Sequence, residues 1–341
     1  MNVQLCYDSR TWDDFVASRP EATNYHRYGW RTVIERAFGH RTYYLMATDE
    51  RDQVCGVLPL THMKSALFGS FLVSLPFFNY GGMLCATDDA ARGLLERSRQ
   101  LLDEVGAEYA ELRHLHPTGK ALPSKEHKVT MLLALQDDAE SQWKALDAKV
   151  RNQVRKAEKS GLTTVVGHCE LLDGFYEVFC RNMRDLGTPV YSKELFRQVL
   201  EVFPETTRII SVILDGRTVA AGLLTWYRDT LEVPWASSIR DVRELCPNNL
   251  LYWEAIRFAI GNGSRHFDFG RSTPGEGTYR FKKQWGAEPH QLHWDYLLNP
   301  GAALPELNPA NPKYRLAISL WQRLPVAVTK LLGPPIVRNI P

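Results

Sequence analysis

Apolar residues come in short, similarly spaced runs in two separate stretches of this 341-residue chain. The first, YYLMATDERDQVCGVLPLTHMK (residues 43–64), predicts a strand, a polar turn and a second strand. The second, TRIISVILDGRTVAAGLLTWYRD (residues 207–229), predicts the same. Its Asp215-Gly216 pair suits a tight hairpin, whose central residues need positive φ. Each second strand carries a small-residue site early on: Gly56 in one, Ala221-Gly222 in the other.

The segments after the two hairpins are also parallel. After the first comes another apolar stretch, GSFLVSLPFFNYGGMLC. A helix is predicted over 88–107, with Leu94, Leu95, Ser98, Leu101, Leu102 and Val105 on one stripe and Gly106 as its stop. A strand over 108–115 completes the set. After the second hairpin come LEVPWASSI, a helix over 248–263 and the strand RHFDFG. The same four elements in the same order predict two copies of one α+β unit. Between them, residues 121–143 form a linker containing one strand, KVTMLLAL. A helix over 141–161 is predicted from Trp143, Leu146, Val150, Val154 and Ala157, with Ser141 as N-cap and Gly161 as stop. A further helix is expected over 171–187. The predicted domains are 1–140, 141–299 and a tail, 300–341.

The tail opens with Pro300, Pro305, Pro309 and Pro312, and a helix broken before Pro325 is expected beyond them. It is basic and apolar, without an acidic residue after Glu306. A strap packed across the body is the favoured reading. A contact with an anionic membrane surface is the sharper one.

Hydrophobic residues at 44% and charged residues at 23% describe a folded globular chain. A net charge of +2 gives no electrostatic case for a DNA partner. The six cysteines include no C-x-x-C pair. The first residues do not read as a signal peptide, and no run reaches the roughly 20 apolar residues that span a bilayer. A cytoplasmic protein is expected, membrane-peripheral if the tail binds lipid.

Candidate chemistry concentrates in FDFGRSTPGEGTYRFKKQWGAEP, residues 267–289. A strand ending at Gly270 delivers Arg271 to a loop. Gly275 and Gly277 would let backbone N–H groups approach a ligand. Tyr279, Arg280, Phe281 and Lys282 come next at a helix start, a position that favours anions. On the helix near 148–159, Arg151 and Arg155 lie one turn apart and could hold a phosphate, or could simply form a solvated face. Asn79, Tyr80, Gly81 and Gly82 suit either a hairpin turn or backbone approach to a substrate. His114 and His116, and His290 and His293, have no carboxylate or cysteine at ligand spacing, so no metal is expected. There is no G-x-S-x-G nucleophile motif.

Three motifs carry a family resemblance. VRNQVRKAEKSGL resembles the Arg-Asn helix of the Fem-type transferases, and YRFKKQWGAEP resembles their Phe-Lys-x-x-aromatic-Gly motif. LPFFNYGGMLC stands at the place of their Pro-x-x-Gly-Pro loop, but reads Tyr-Gly-Gly. The loop and the tail segment NPKYRLAISLWQRLP resemble a subgroup accompanying exosortase/PEP-CTERM systems, encoded among exopolysaccharide and protein-sorting genes. The resemblance implies two tandem GNAT (acyl-CoA N-acyltransferase) units. It implies an acyl- or aminoacyl-transferase acting on an amine of a cell-envelope or exopolysaccharide precursor, with no tightly bound cofactor. The donor is left open between acyl-CoA and aminoacyl-tRNA, since the chain has no room for the long helical arm and reads RDVRELCPNNLL where an acyl-CoA loop would stand. By the motif match Lys282 stabilises an oxyanion or phosphate. Arg271 and Arg151 would bind anionic groups, Asn79 and Tyr80 would line a substrate cleft between lobes, Asp268 is a candidate base and Tyr279 a lesser catalytic candidate. The rival reading is a non-catalytic protein that holds a glycan or lipid-linked precursor on the same fold.

Overall fold

The computed structural model describes residues 1–65, 68–305 and 312–340, with backbone alone at 312–315. Pro309 of the proline run and Asn311 of the tail motif lie outside the described residues. The chain divides into two units. One holds residues 1–127, 291–307 and 338–341; the other holds 128–290 and 308–337.

In chain order the first sheet receives β1 (Asn2–Leu5), β2 (Arg41–Thr48), β3 (Val54–Ser65), β4 (Gly69–Val73), β5 (Leu84–Cys85), β6 (Tyr109–His114) and β7 (Ser124–Lys125). The second receives β8 (Val129–Ala134), β9 (Thr163–Gly167), β10 (Thr207–Leu214), β11 (Arg217–Tyr227), β12 (Thr230–Ser238), β13 (His266–Ser272) and β14 (Glu288–Gln291). The last strand, β15 (His293–Leu298), returns to the first sheet. The sheet orders are β1-β2-β3-β4-β6-β15-β7, with β5 beside β3, and β14-β8-β13-β12-β11-β10-β9.

Both sheets are built alike, as the repeated pattern predicts. The hairpins β2–β3 and β10–β11 are antiparallel. Asp215 and Gly216 turn the second with φ of 49° and 74°. Strands β4 and β6 run parallel, as do β12 and β13. The helices between them, Asp88–Val105 and Pro247–Gly261, are the crossovers. Gly56 is small because the first crossover helix lies on it: a Cβ there would meet Leu94 at 3.0 Å and Ala90 at 3.1 Å.

The units exchange a strand. β6 is flanked by β15 from the far end of the chain, while β13 is flanked by β8 from the predicted linker. Val129, Met131 and Leu133 of β8 are buried in the second core, which is why the division falls at 127/128 and not at 140. Likewise β15 buries Trp294, Tyr296 and Leu297, so the first unit recovers residues that sequence order alone gives to the second.

The helix expected over 141–161 is two helices, Ala139–Ala145 and Ala148–Lys159. Leu146 is extended between them, and Asp147 starts the second by accepting from Lys149 N at 2.7 Å. Asp138, not Ser141, caps the first. Helices Ser9–Ser18, Gly29–Phe38 and Lys193–Val202 add to the predicted set. The tail forms helices Pro312–Trp321 and Val326–Val337, strapped to the second unit. Arg184 donates to the Leu324 carbonyl at 3.0 Å, Gln322 to the Asp185 carbonyl at 3.1 Å, and Lys330 pairs with Glu177. Among the described residues no helix is long and apolar enough to cross a membrane.

Candidate functional site

The centre of the site is the end of β13. It stays in parallel register with β12 as far as Glu232 and Asp268. Gly270 then turns at φ 75°, and the register against β8 shifts between Asp268 and Arg271. The left-handed turn needs glycine. Phe267 and Phe269 enter the core, and Asp268, between them in sequence, is fully buried. Its Oδ1 accepts from the Thr130 hydroxyl at 2.6 Å and from Gly270 N at 2.7 Å. A carboxylate so placed holds the strand end in shape and supplies negative charge beneath it.

Lys282 closes the turn from the other side. It stands on the short helix Gly277–Lys283 and is only 7% exposed. Its Nζ donates to the carbonyls of Gly270 and Arg271, both at 2.9 Å. Its third N–H has no partner among the described residues. Burial pulls its pKa down to about 8; Arg271 adds to this, while Asp268 and Glu232 oppose it. The aromatics of the loop are core: Trp285 is buried, and Tyr252 packs on Phe269 at 5.2 Å and on Phe281 at 5.4 Å. They anchor the helix that presents Lys282.

The other predicted residues fall in different places. Arg271, Gly275 and Gly277 are exposed, and a Cβ at either glycine would meet nothing within 4 Å. Tyr279 is half-buried against the second core. The helix-start reading is corrected in its placement: the helix runs Gly277–Lys283, so Lys282 stands in its last turn and not at its start, and Glu276 at the N-cap makes no side-chain cap hydrogen bond. Arg151 is half-buried on the helix Ala148–Lys159 and hydrogen-bonds to no residue of this loop; its Nε is buried without a hydrogen bond. The Arg155 guanidinium lies over Trp143 at 5.4 Å.

Two neighbours escaped sequence reasoning. Glu232 is 4% exposed and faces Asp268 across the parallel pair. Lys128 donates to the Thr273 hydroxyl at 2.6 Å, and its pKa is lowered by burial and then by Arg271. The strand exchange brings Lys128 here, and no local signal could have placed it.

Asn79 and Tyr80 belong to the first unit. Tyr80 packs edge-on to Tyr25 and lines a cavity of about 490 Å³ with His26, Cys85, Thr87, His114 and Lys120. The Asn79 carbonyl accepts from Trp294 Nε1 at 3.3 Å. Their loop is fastened onto β6. Gly81 N donates to the Arg113 carbonyl at 3.1 Å, the Arg113 guanidinium to the Phe78 carbonyl at 2.8 Å, and Met83 N to His114 Nε2 at 3.1 Å. Gly82 is glycine because a Cβ would stand 2.4 Å from the His114 ring. Gly82 thus serves a close approach to this chain's own histidine, while Gly81, at φ 134°, lies against Tyr25 and Leu75. With Nε2 accepting, the His114 proton sits on Nδ1, 3.4 Å from Asp295. Among the described residues, no three His, Cys, Asp or Glu side chains gather as a metal site.

Residues 145–283 match the model of the acetyltransferase (GNAT) domain family. No curated protein matches the chain in sequence. The fold is similar to that of FemX, at TM-score 0.68 and 15% identity over 87% of this chain and 98% of that one. It is similar to the C-terminal domain of a putative lysylphosphatidylglycerol synthetase from Agrobacterium fabrum, at TM-score 0.57 and 11% identity over 92% and 94% of the two chains. A tandem GNAT protein from the clavulanic acid biosynthesis pathway aligns at TM-score 0.54 and 11% identity, over 89% of this chain and all of that one. The chain therefore has a tandem GNAT fold, and the segment that matches the acetyltransferase domain contains the Lys282 site.

Proposed function

We propose that this protein is an acyl- or aminoacyl-transferase that forms an amide on an amine of a cell-envelope or exopolysaccharide precursor. The carrying observation is Lys282, a buried ammonium with one uncommitted N–H, held at the end of β13 above two buried carboxylates. Amide formation needs an amine placed against an activated carbonyl and a fixed positive charge where the oxyanion grows. The amine nitrogen attacks the carbonyl carbon of a thioester or ester, and the C=O electron pair moves onto oxygen. Collapse re-forms the C=O bond and breaks the C–S or C–O bond, and the expelled thiolate or alkoxide takes up the proton lost by the amine. Lys282 would stabilise the oxyanion through its third N–H. Exposed Arg271 would hold an anionic part of donor or acceptor, and Arg151 a phosphate. The acyl donor, acyl-CoA or aminoacyl-tRNA, is a co-substrate rather than a resident group. The likeness of fold to a protein named a lysylphosphatidylglycerol synthetase supports aminoacyl transfer as one form of this chemistry.

One observation favours the rival reading, a non-catalytic binder of a glycan or lipid-linked precursor. Two of the three Lys282 donors already serve backbone carbonyls, as a purely structural lysine would. The two readings separate in a transfer assay with acyl-CoA and aminoacyl-tRNA donors, run beside thermal-shift binding. Catalysis predicts that Lys282→Ala lowers turnover by about 100-fold or more while donor binding persists. Stabilisation by a precursor alone, with no transfer from either donor, would establish the binder.

A further inference from the structure

We propose that the two tail helices form a docking face for an anionic lipid surface. The inference stands apart from the transfer chemistry and rests on an inverted pattern of side chains. Helix Val326–Val337 packs inward through Thr329, Gly333 and Val337, each one turn from the next. These are small or short. Gly333 lies so close to Val190 that an added Cβ would stand 2.8 Å from its backbone nitrogen. The large residues are left outside: Leu331 is 75% exposed and Leu332 45%. The helix before it behaves alike, with Leu316 at 64% and Leu320 at 56%, one turn apart. Six of the eleven exposed large hydrophobic side chains among the described residues belong to these two helices. A helix that only covered its own unit would turn its leucines inward. An outward apolar patch of this kind marks contact with another apolar phase.

Charge selects the occupant. The chain from residue 307 onward contains Lys313, Arg315, Arg323, Lys330 and Arg338 and no Asp or Glu. Lys330 is committed to Glu177, while Arg323 is exposed. Exposed leucines beside Arg323, in a tail without an acidic residue beyond Glu306, fit anionic headgroups above acyl chains. With 10 and 12 residues, the helices are too short to span a bilayer and would lie in its surface. The hydrogen bonds from Arg184 and Gln322 fix this face to the helix Leu172–Leu186, whose last residue, Leu186, is also 54% exposed.

The test is co-sedimentation of the full chain with phosphatidylcholine vesicles, with and without roughly a quarter phosphatidylglycerol. The expected result is partitioning onto the anionic vesicles that weakens with added salt. Leu331→Glu/Leu332→Glu and Leu316→Glu/Leu320→Glu should each reduce it by about tenfold or more. All four positions are exposed, so melting curves should match the parent. Three results would overturn the proposal. One is failure of the parent to bind anionic vesicles, or equal binding to zwitterionic ones. Another is binding that ignores the leucine substitutions. The third is a parent that is a dimer without lipid and a monomer once the leucines are replaced, which would assign the face to a second copy.

Discussion

At the scale of the residue, Lys282 is where structure and chemistry meet. Free lysine titrates near 10.5, and burial brings this one down to about 8. At neutral pH it is still mostly protonated, the form that can face an oxyanion. Raising the pH through about 8 removes that proton, so turnover in the proposed reaction should fall across this range. The fall should be missing from the residual activity of Lys282→Ala, as a pH–rate profile of both proteins would show. Stability moves the opposite way. Between about 8 and 10.5 the unfolded chain holds a proton that the folded chain has released, so the folded state gains stability as pH rises. A pH series of denaturant midpoints should therefore rise for the parent relative to Lys282→Met. A parent profile with no break near 8 in either measurement would mean that Lys282 keeps an ordinary affinity for its proton.

At the scale of the element, the loop after β4 depends on one contact. His114 Nε2 accepts from Met83 N, and Gly82 makes room for the ring. Gly82→Ala puts a methyl into that ring and should cost about 1–3 kcal/mol in denaturant unfolding. His114→Ala in the same chain should recover part of the loss, because the two changes share one space. Equal, additive losses would show that the ring and the glycine do not meet. The sequence makes such a loop visible but not its reason, since the partner lies 31 residues ahead. Elements with local causes are legible. Asp215-Gly216 turns its hairpin with positive φ at both residues, and Gly106 and Gly187 end their helices in the left-handed region. The expectation of one helix over 141–161 fails at a single point. Its apolar spacing runs on through Leu146, but Asp147 is a stronger N-cap than a helix interior residue. Lys282 is legible from its motif, and Glu232 is not, because its burial comes from the parallel pairing with β13.

At the scale of the whole molecule, the exchange of β8 and β15 has no local signature. Both strands are buried along most of their length, nothing in either names its partner strand, and only the completed sheets show where each belongs. The repeat in the sequence therefore finds the two copies but misplaces their edges. The first unit cannot complete its sheet from residues 1–140, because β15 lies between β6 and β7. Within β15, the Tyr296 hydroxyl donates to Glu111 at 2.7 Å and Trp294 covers the buried Arg113 guanidinium at 4.4 Å. Remove the strand and an ion pair, Arg113 with Glu111, loses both its cover and a hydrogen bond. A buried charge left partly unpartnered costs several kcal/mol, comparable to the stability of a small domain. A fragment of residues 1–140 should therefore lack a cooperative melting transition and show poor dispersion in its amide spectrum. Joining residues 291–305 to residue 127 through a flexible linker should restore both, because it returns β15 to its place beside β6. A cooperative transition in the 1–140 fragment, unchanged by the added strand, would show that the first unit holds together without the exchange.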